Sequence, residues 1–415
     1  MPRTIKNCFY KKLTFDNLLA AHLRARDQKT TKKELIIFEM SLENNLVNLL
    51  NQLKTWRYKI GQYRTFYVTE PKLRKIQALP YVDRIVHQWY VEEFIKPYIV
   101  PKFIKDTYAC IVDRGTHKAV DAIQHYMQVY QRNVGNYWIL KCDIKKYFYS
   151  INPGILFNIL KKQISDKKLL DFTYHLIYDR REEPVGIPIG NYTSQFFANI
   201  YLNELDQYIK HKLKVKYYVR YMDDFILLMP DKESCKIAKH KIEVFLKEHL
   251  ELELNHKSRY YPCDQGVNFC GFRIWPTHRL LRKHCKTKIK RHVNKWNKLW
   301  HEGRLDFSIA MPSLQSWMGH ASHCNSYNFK TKILKKSDFI YDEQKDYGVM
   351  LSDIGYDNSL KSYIATEEEM SLSCLSPKWH FCYLGACLPQ TATFVIFLDR
   401  LLIWQKNYYN LSCIS

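Results

Sequence analysis

The chain has 415 residues, 46% of them apolar and 25% charged, which excludes wholesale disorder, collagen-like repeats and low-complexity architecture. Its 64 Lys and Arg outnumber 41 Asp and Glu, a net charge of +23. That excess points to a polyanionic partner, nucleic acid ahead of an anionic membrane, and the 31 Tyr among those cations suit base stacking.

The 12 Cys form no CxxC pair, so a zinc ribbon or a thioredoxin-like site has no support. Cys263 with Cys270, and Cys382 with Cys387, read as isolated thiols in a reducing compartment. The N-terminal basic residues precede no long apolar core, so no signal peptide is expected. The late apolar stretch Thr393 to Trp404 is interrupted by Asp399 and Arg400 and is too short to span a bilayer. A cytoplasmic chain with no membrane partner is expected. Charge also divides the chain: residues 341–415 carry a net −4 and residues 1–340 a net +27. The polyanion-binding body should therefore end near residue 340.

Taken in chain order, Leu35 to Trp56 has apolar residues at helical spacing, as does Asp83 to Ile99. Residues 137–142 predict a short buried strand. Gln195 to Lys212 predicts an amphipathic helix, and Tyr217 to Met229 predicts a hairpin of two apolar runs interrupted by two acids. Lys232 to His249 predicts another helix and Phe269 to Trp275 a short strand. Arg279 to Lys298 holds nine Lys and Arg and no acid, a basic helix. A sheet covered by helices, with one basic helical appendage, is an α+β core. The expected domains are N-terminal helices and fingers over 1–136, a palm over 137–276, a helical thumb over 277–340 and an acidic, aromatic tail over 341–415.

Asp223 and Asp224 are the most informative pair. Adjacent carboxylates at a hairpin tip repel unless a cation lies between them. A plain polar turn is the alternative, but turn acids usually come with Gly or Asn, and here the neighbours are Met222 and Phe225. Asp143 closes the run WILKCD after a buried strand. Taken alone it reads as a strand-end or capping Asp. Together the three carboxylates at the ends of adjacent strands suit a two-Mg²⁺ phosphoryl-transfer site, because Mg²⁺ takes waters and substrate phosphates as its other ligands.

Tyr221 to Asp224, YMDD, preceded by an Asp-bearing strand about 80 residues earlier, resembles a reverse transcriptase palm. The resemblance runs in family order over roughly residues 50–335. It implies a right-hand polymerase with fingers, palm and a helical basic thumb. PKLRKIQALPYVDRIVHQ (71–88) resembles the fingers segment, which implies that Arg74, Lys75 and Arg84 lie near the incoming nucleotide's phosphates and the template. DRGTHKAV (113–120) resembles the next fingers block. CDIKKYFYSI (142–151) resembles the first palm motif, with Phe148 as the aromatic gate against a ribose 2′-OH. ELNHKSRYY (253–261) implies Lys257 as the general acid for pyrophosphate, and FCGFRI (269–274) resembles the primer grip.

The block GIPIGNYTSQFFAN (186–199) has Ile189-Gly190 and Ser194-Gln195 where the superfamily usually has Gln-Gly and Ser-Pro. This form, with SLQSWMGHASHCNSY (313–327), resembles the reverse transcriptases of diversity-generating retroelements, found in bacteria and phages. The resemblance implies cDNA synthesis with errors at template adenines, with Ile189 against the template base. It implies as partners a template RNA, a DNA primer, dNTPs and a small basic accessory protein, and two Mg²⁺ as cofactors held by Asp143, Asp223 and Asp224. No retron signature (NAxxH, VTG) and no HNH-like cluster is seen. A group II intron-, retron- or defence-type enzyme of ordinary fidelity, and a non-catalytic RNA-binding maturase, remain the alternatives.

Overall fold

A computed structural model describes residues 4–27, 29–69, 72–178 and 183–340. The expectations for the acidic tail, for Cys382 and Cys387 and for Thr393 to Trp404 lie outside those residues. The chain divides between Arg282 and Lys283 into two units.

After a single helical turn at Phe9–Lys12, the first unit has helices α1 (Phe15–Arg26), α2 (Lys33–Glu39) and α3 (Leu42–Lys54). Thr14 caps α1 by accepting from Asn17 N–H. The single helix expected over Leu35 to Trp56 is two. Ser41 has a non-helical backbone (φ −138°), and the Asn45 side chain takes the carbonyl of Phe38, so α2 ends there. A two-stranded hairpin follows, β1 (Arg64–Val68) and β2 (Arg74–Ala78), which sequence periodicity did not foresee. Helix α4 (Tyr81–Tyr90) starts directly after Pro80 and passes through a π-helical turn, Val91–Ile95, before a last short turn at Lys96–Tyr98. Pro97 offers no N–H to the carbonyl of Glu93, which accounts for the altered winding there.

The largest sheet among the described residues is four-stranded and antiparallel, in the order β4 (Tyr218–Tyr221), β5 (Asp224–Met229), β3 (Trp138–Asp143), β6 (Arg259–Pro262). Helix α5 (Thr116–Val134) packs on β4 and β5. After β3 come α6 (Pro153–Lys161), α7 (Lys167–Tyr178) and α8 (Tyr192–Gln207), the last extended by a π-helical turn to Lys212. Helix α9 (Lys232–Leu250) lies on β3, β5 and β6. Leu140, Cys142, Phe225, Leu227 and Tyr218 share one sheet face by register and join the main core. Each buries an apolar side chain worth about 1.5–3 kcal/mol for the large ones. Ile139, Lys141, Asp143, Asp224 and Tyr221 share the other face.

The strand expected over Phe269 to Trp275 is a hairpin, β7 (Val267–Phe269) and β8 (Phe272–Ile274), extended by β9 (Arg279–Leu281). Cys270 and Gly271 turn it with φ of 44° and 90°, the pair of positive values that matches strand twist. Because Arg279–Leu281 pairs with β8, the basic helix begins only at Lys283.

The second unit contains α10 (Lys283–His301), α11 (Phe307–Ser322) and α12 (Tyr327–Lys335). Ile289, Val293 and Trp296 form the buried stripe of α10 against Met311, Leu314, Ile333 and Phe339. Its lysines and arginines occupy the rest of the surface, and Lys286 and Lys290 lie over the ring of Phe329.

Candidate active site

Asp143 and Asp224 are register partners across β3 and β5, and Tyr221 pairs with Asp224 across β4 and β5. Met222 and Asp223 are thus the two residues of a tight turn. Met222 carries φ of 58°, a strained backbone for a bulky side chain. Directly opposed residues share a face, so Asp143 and Asp224 point to the same side. Burial, then the Asp143 charge, lifts Asp223 above the usual carboxylate range, while Arg74 and Lys72 pull it back. Burial pushes Asp224 up to about 6, with Lys141 opposing and Asp143 and Asp223 adding to the rise.

Three partners that motif reading did not single out hold these acids. Lys141, two residues before Asp143 and therefore on its face, donates to Asp224 Oδ2 at 3.0 Å and to the carbonyl of Asn268. The alternation of β3 could have flagged it. Asn255 donates its side-chain amide to Asp143 Oδ2 at 2.9 Å and its backbone N–H to Asp143 O at 2.7 Å. Ser258 Oγ accepts from Asp143 N–H at 3.1 Å. The turn that carries Lys257 is therefore wrapped around Asp143. Lys257 itself is exposed, its backbone N–H donating to Asn255 Oδ1.

Behind the turn lies Arg220, fully buried on β4. Its Nε and one terminal nitrogen grip the two oxygens of Asp206, at 2.7 and 2.6 Å. The remaining donors reach Asn199 Oδ1 (3.1 Å), Met222 O (3.0 Å) and Thr107 Oγ1 (3.4 Å). All five guanidinium N–H groups have an acceptor, and Tyr218 and Thr107 add hydroxyl donors to Asp206. Asp206 and Asn199 sit on α8, so this cluster fixes the turn to that helix.

The start of α8 meets the fingers hairpin. Gln77 N–H on β2 donates to Ile189 O at 2.8 Å. Gly190 has φ of 129°, and a Cβ there would stand 2.8 Å from Gln77 O. Ile189 is half-buried, Ser194 buried and Gln195 exposed. Arg74 is exposed and Lys75 half-buried on β2. Arg84 is placed differently: its Nε donates to Leu79 O at 2.9 Å, and its guanidinium meets Glu34 at 3.6 Å. Phe148 is half-buried against the core, edge-on to Tyr147, and its carbonyl accepts from Ile187 N–H at 2.7 Å. Burial raises the Tyr221 phenol, with Cys270 and Cys110 adding to the rise. Burial likewise pushes the Cys270 thiol up to about 12, with Asp224 adding to it.

Among the described residues, no three His, Cys, Asp or Glu side chains gather into a metal-holding group. The chemistry of the donors nevertheless suits a hard cation. Three carboxylates act on one another electrostatically, and Asp224 Oδ1 is buried with no hydrogen-bond partner among the described residues. No described helix is long and apolar enough to cross a membrane.

Fingers and palm of α+β build, with an acid-tipped antiparallel sheet, define a template-directed nucleotidyltransferase fold. The family model "Reverse transcriptase (RNA-dependent DNA polymerase)" matches residues 46–274, more than half of the chain. The chain belongs to that family. It is 26% identical over 216 residues to the putative COX1/OXI3 intron 2 protein of Saccharomyces cerevisiae, covering 35% of this chain and 25% of that one. It is 22% identical over 305 residues to the group II intron-encoded protein LtrA of Lactococcus lactis, covering 56% and 50%. Protein YkfC of Escherichia coli is 23% identical over 277 residues, covering 57% and 71%. The match thus spans a quarter and a half of the first two relatives. A solved telomerase from Candida albicans, in complex with a fragment of telomeric RNA, aligns over 78% of this chain and 68% of its own at 12% identity, with a TM-score of 0.43.

Proposed function

We propose that the protein copies an RNA template into cDNA. The observation that carries this reading is the register pairing of Asp143 with Asp224 beside the Met222–Asp223 turn, inside the span matched by the family model. Asp143, Asp223 and Asp224 would hold two Mg²⁺ ions, which when bound lower the pKa of the primer 3′-hydroxyl and neutralise the leaving pyrophosphate. Arg74, with Lys72 beside it, draws the triphosphate toward the acids, an assignment supported by the pull of both cations on Asp223. Lys75 belongs to the same strand and borders the template. Lys257, exposed on the turn that grips Asp143, protonates the departing pyrophosphate. Phe148 excludes a 2′-OH. Arg84 acts through the fingers rather than on the nucleotide, given its bonds to Leu79 and Glu34. The basic α10 tracks phosphates, so RNA affinity should fall steeply with salt.

Within that chemistry the copying is error-prone at template adenines, as in diversity-generating retroelements. What supports this is Ile189: an apolar side chain can pack on a base but cannot select its partner by hydrogen bonds. Ser194, Gln195 and Tyr221 complete the template and nucleotide surface, and a small basic accessory protein is the expected partner. The second reading, an intron maturase with or without polymerase activity, is favoured by the intron-encoded relatives.

The test is primer extension on RNA with Mg²⁺ and dNTPs, with the products sequenced. Errors concentrated at adenines are expected. Accurate copying removes the retroelement assignment. Asp223→Asn should abolish extension and leave RNA binding near normal, and surviving activity would remove the metal assignment.

A further inference from the structure

Lys141 takes no part in the chemistry assigned above, yet its ammonium joins two pieces of the site. One contact is to Asp224 Oδ2, at 3.0 Å. The other is to the carbonyl of Asn268 on β7, and the same ammonium lies 5.9 Å from the centroid of the Phe269 ring. Phe269 immediately precedes the Cys270–Gly271 tip. A single side chain therefore pins a hairpin with three-residue strands to one of the acids.

The state of Asp224 matches this. One oxygen is held by Lys141, the other is buried without a partner, and the acids do not close into a metal-holding group among the described residues. An ammonium and a divalent cation at one carboxylate repel each other, so each weakens the other's hold.

We propose that Lys141 is a positioning residue that couples cation binding at Asp224 to the β7–β8 hairpin. The two cations compete for the carboxylate, and Lys141 keeps Asn268 when it gives up Asp224. Because binding linkage is reciprocal, whatever orders the hairpin also changes cation affinity. The inference rests on the polymerase reading, which supplies the cation and sets the primer strand against this hairpin.

The experiment uses the full chain at pH 8 without nucleic acid or dNTP. Mn²⁺ binding is followed by electron paramagnetic resonance, and amide exchange over residues 266–274 with and without Mn²⁺. In the wild type, Mn²⁺ should change the exchange of those amides. Lys141→Met should bind Mn²⁺ about tenfold more tightly. Its hairpin should exchange fast whether or not Mn²⁺ is present. Lys141→Gln should also bind Mn²⁺ tightly, but keep the hairpin protected, because its amide still donates to Asn268. Wild-type Mn²⁺ affinity in both variants overturns the proposal, as does a wild-type hairpin that ignores Mn²⁺. Failure of the polymerase reading is separable: Mn²⁺ would then bind neither the wild type nor the variants, or would bind with no loss in Asp223→Asn.

Discussion

Arg220 donates a 3.0 Å hydrogen bond to the carbonyl of Met222, the residue whose backbone is strained in the acid-bearing turn. A fully buried guanidinium thus holds the turn from behind, with Asp206, Asn199 and Thr107 as its other anchors. Arg220→Lys supplies three donors on a narrower head and leaves acceptors of the cluster unpaired. Loss of about 2–3 kcal/mol is expected, because buried hydrogen-bond acceptors are left unsatisfied although the opposite charges remain. Urea unfolding measures it. In folded Arg220→Lys protein, turnover should drop while template affinity stays near wild type.

Gly190→Ala tests the junction of palm and fingers. The added Cβ meets Gln77 O at 2.8 Å, on backbone with positive φ. Helix content should be kept. The Gln77–Ile189 hydrogen bond should open, seen as faster exchange of the Gln77 amide, and primer extension should fall.

Phe148 is braced by Tyr147 and by the bond from Ile187 N–H to its own carbonyl. Phe148→Ala should therefore leave a void beside the sugar instead of a rearranged loop. Discrimination against ribonucleotides should fall about tenfold or more, read as the ratio of kcat/KM values. An unchanged ratio removes the gate assignment.

The Asp224 carboxyl gives a pH dependence of known sign. Its pKa is raised from 3.8 to about 6 in the folded chain, so the protonated form favours folding. That contribution is present below pH 3.8 and is lost as pH rises through about 6. Without metal, Asp224→Asn should melt a few degrees above wild type at pH 8. The gap should close toward pH 4. Cation-dependent extension by the wild type should decline as pH falls through about 6, because the proton and the cation compete.

Much of the sheet was legible in the sequence because its signals are local. A short apolar run marked β3, and two acids between apolar runs marked the β4–β5 turn. The fingers hairpin was not legible from periodicity: β1 is exposed along its whole length, so it lacks an inward face. FCGF read as one strand because the positive φ of a Cys is not a compositional signal. Arg220 counted only as one more positive charge. Its role depends on Asp206 and Asn199, 14 and 21 residues away along the chain and brought close only by the fold. The grip of Asn255 on Asp143 spans 112 residues and is equally invisible to local pattern. The first compact unit runs through β9 to Arg282.

The order of strands also bears on synthesis. Of the four-stranded sheet, β3 emerges first during translation, yet its neighbours β5 and β6 lie 81 and more residues downstream. Such distant pairing is slow and comes late. Until Pro262 has left the ribosome, a nascent chain holds an apolar strand with at least one unpaired edge, a template for unwanted strand addition. The ribosome's pace over residues 144–262, and any chaperone engaged there, should therefore govern the yield of active protein more than the final stability does.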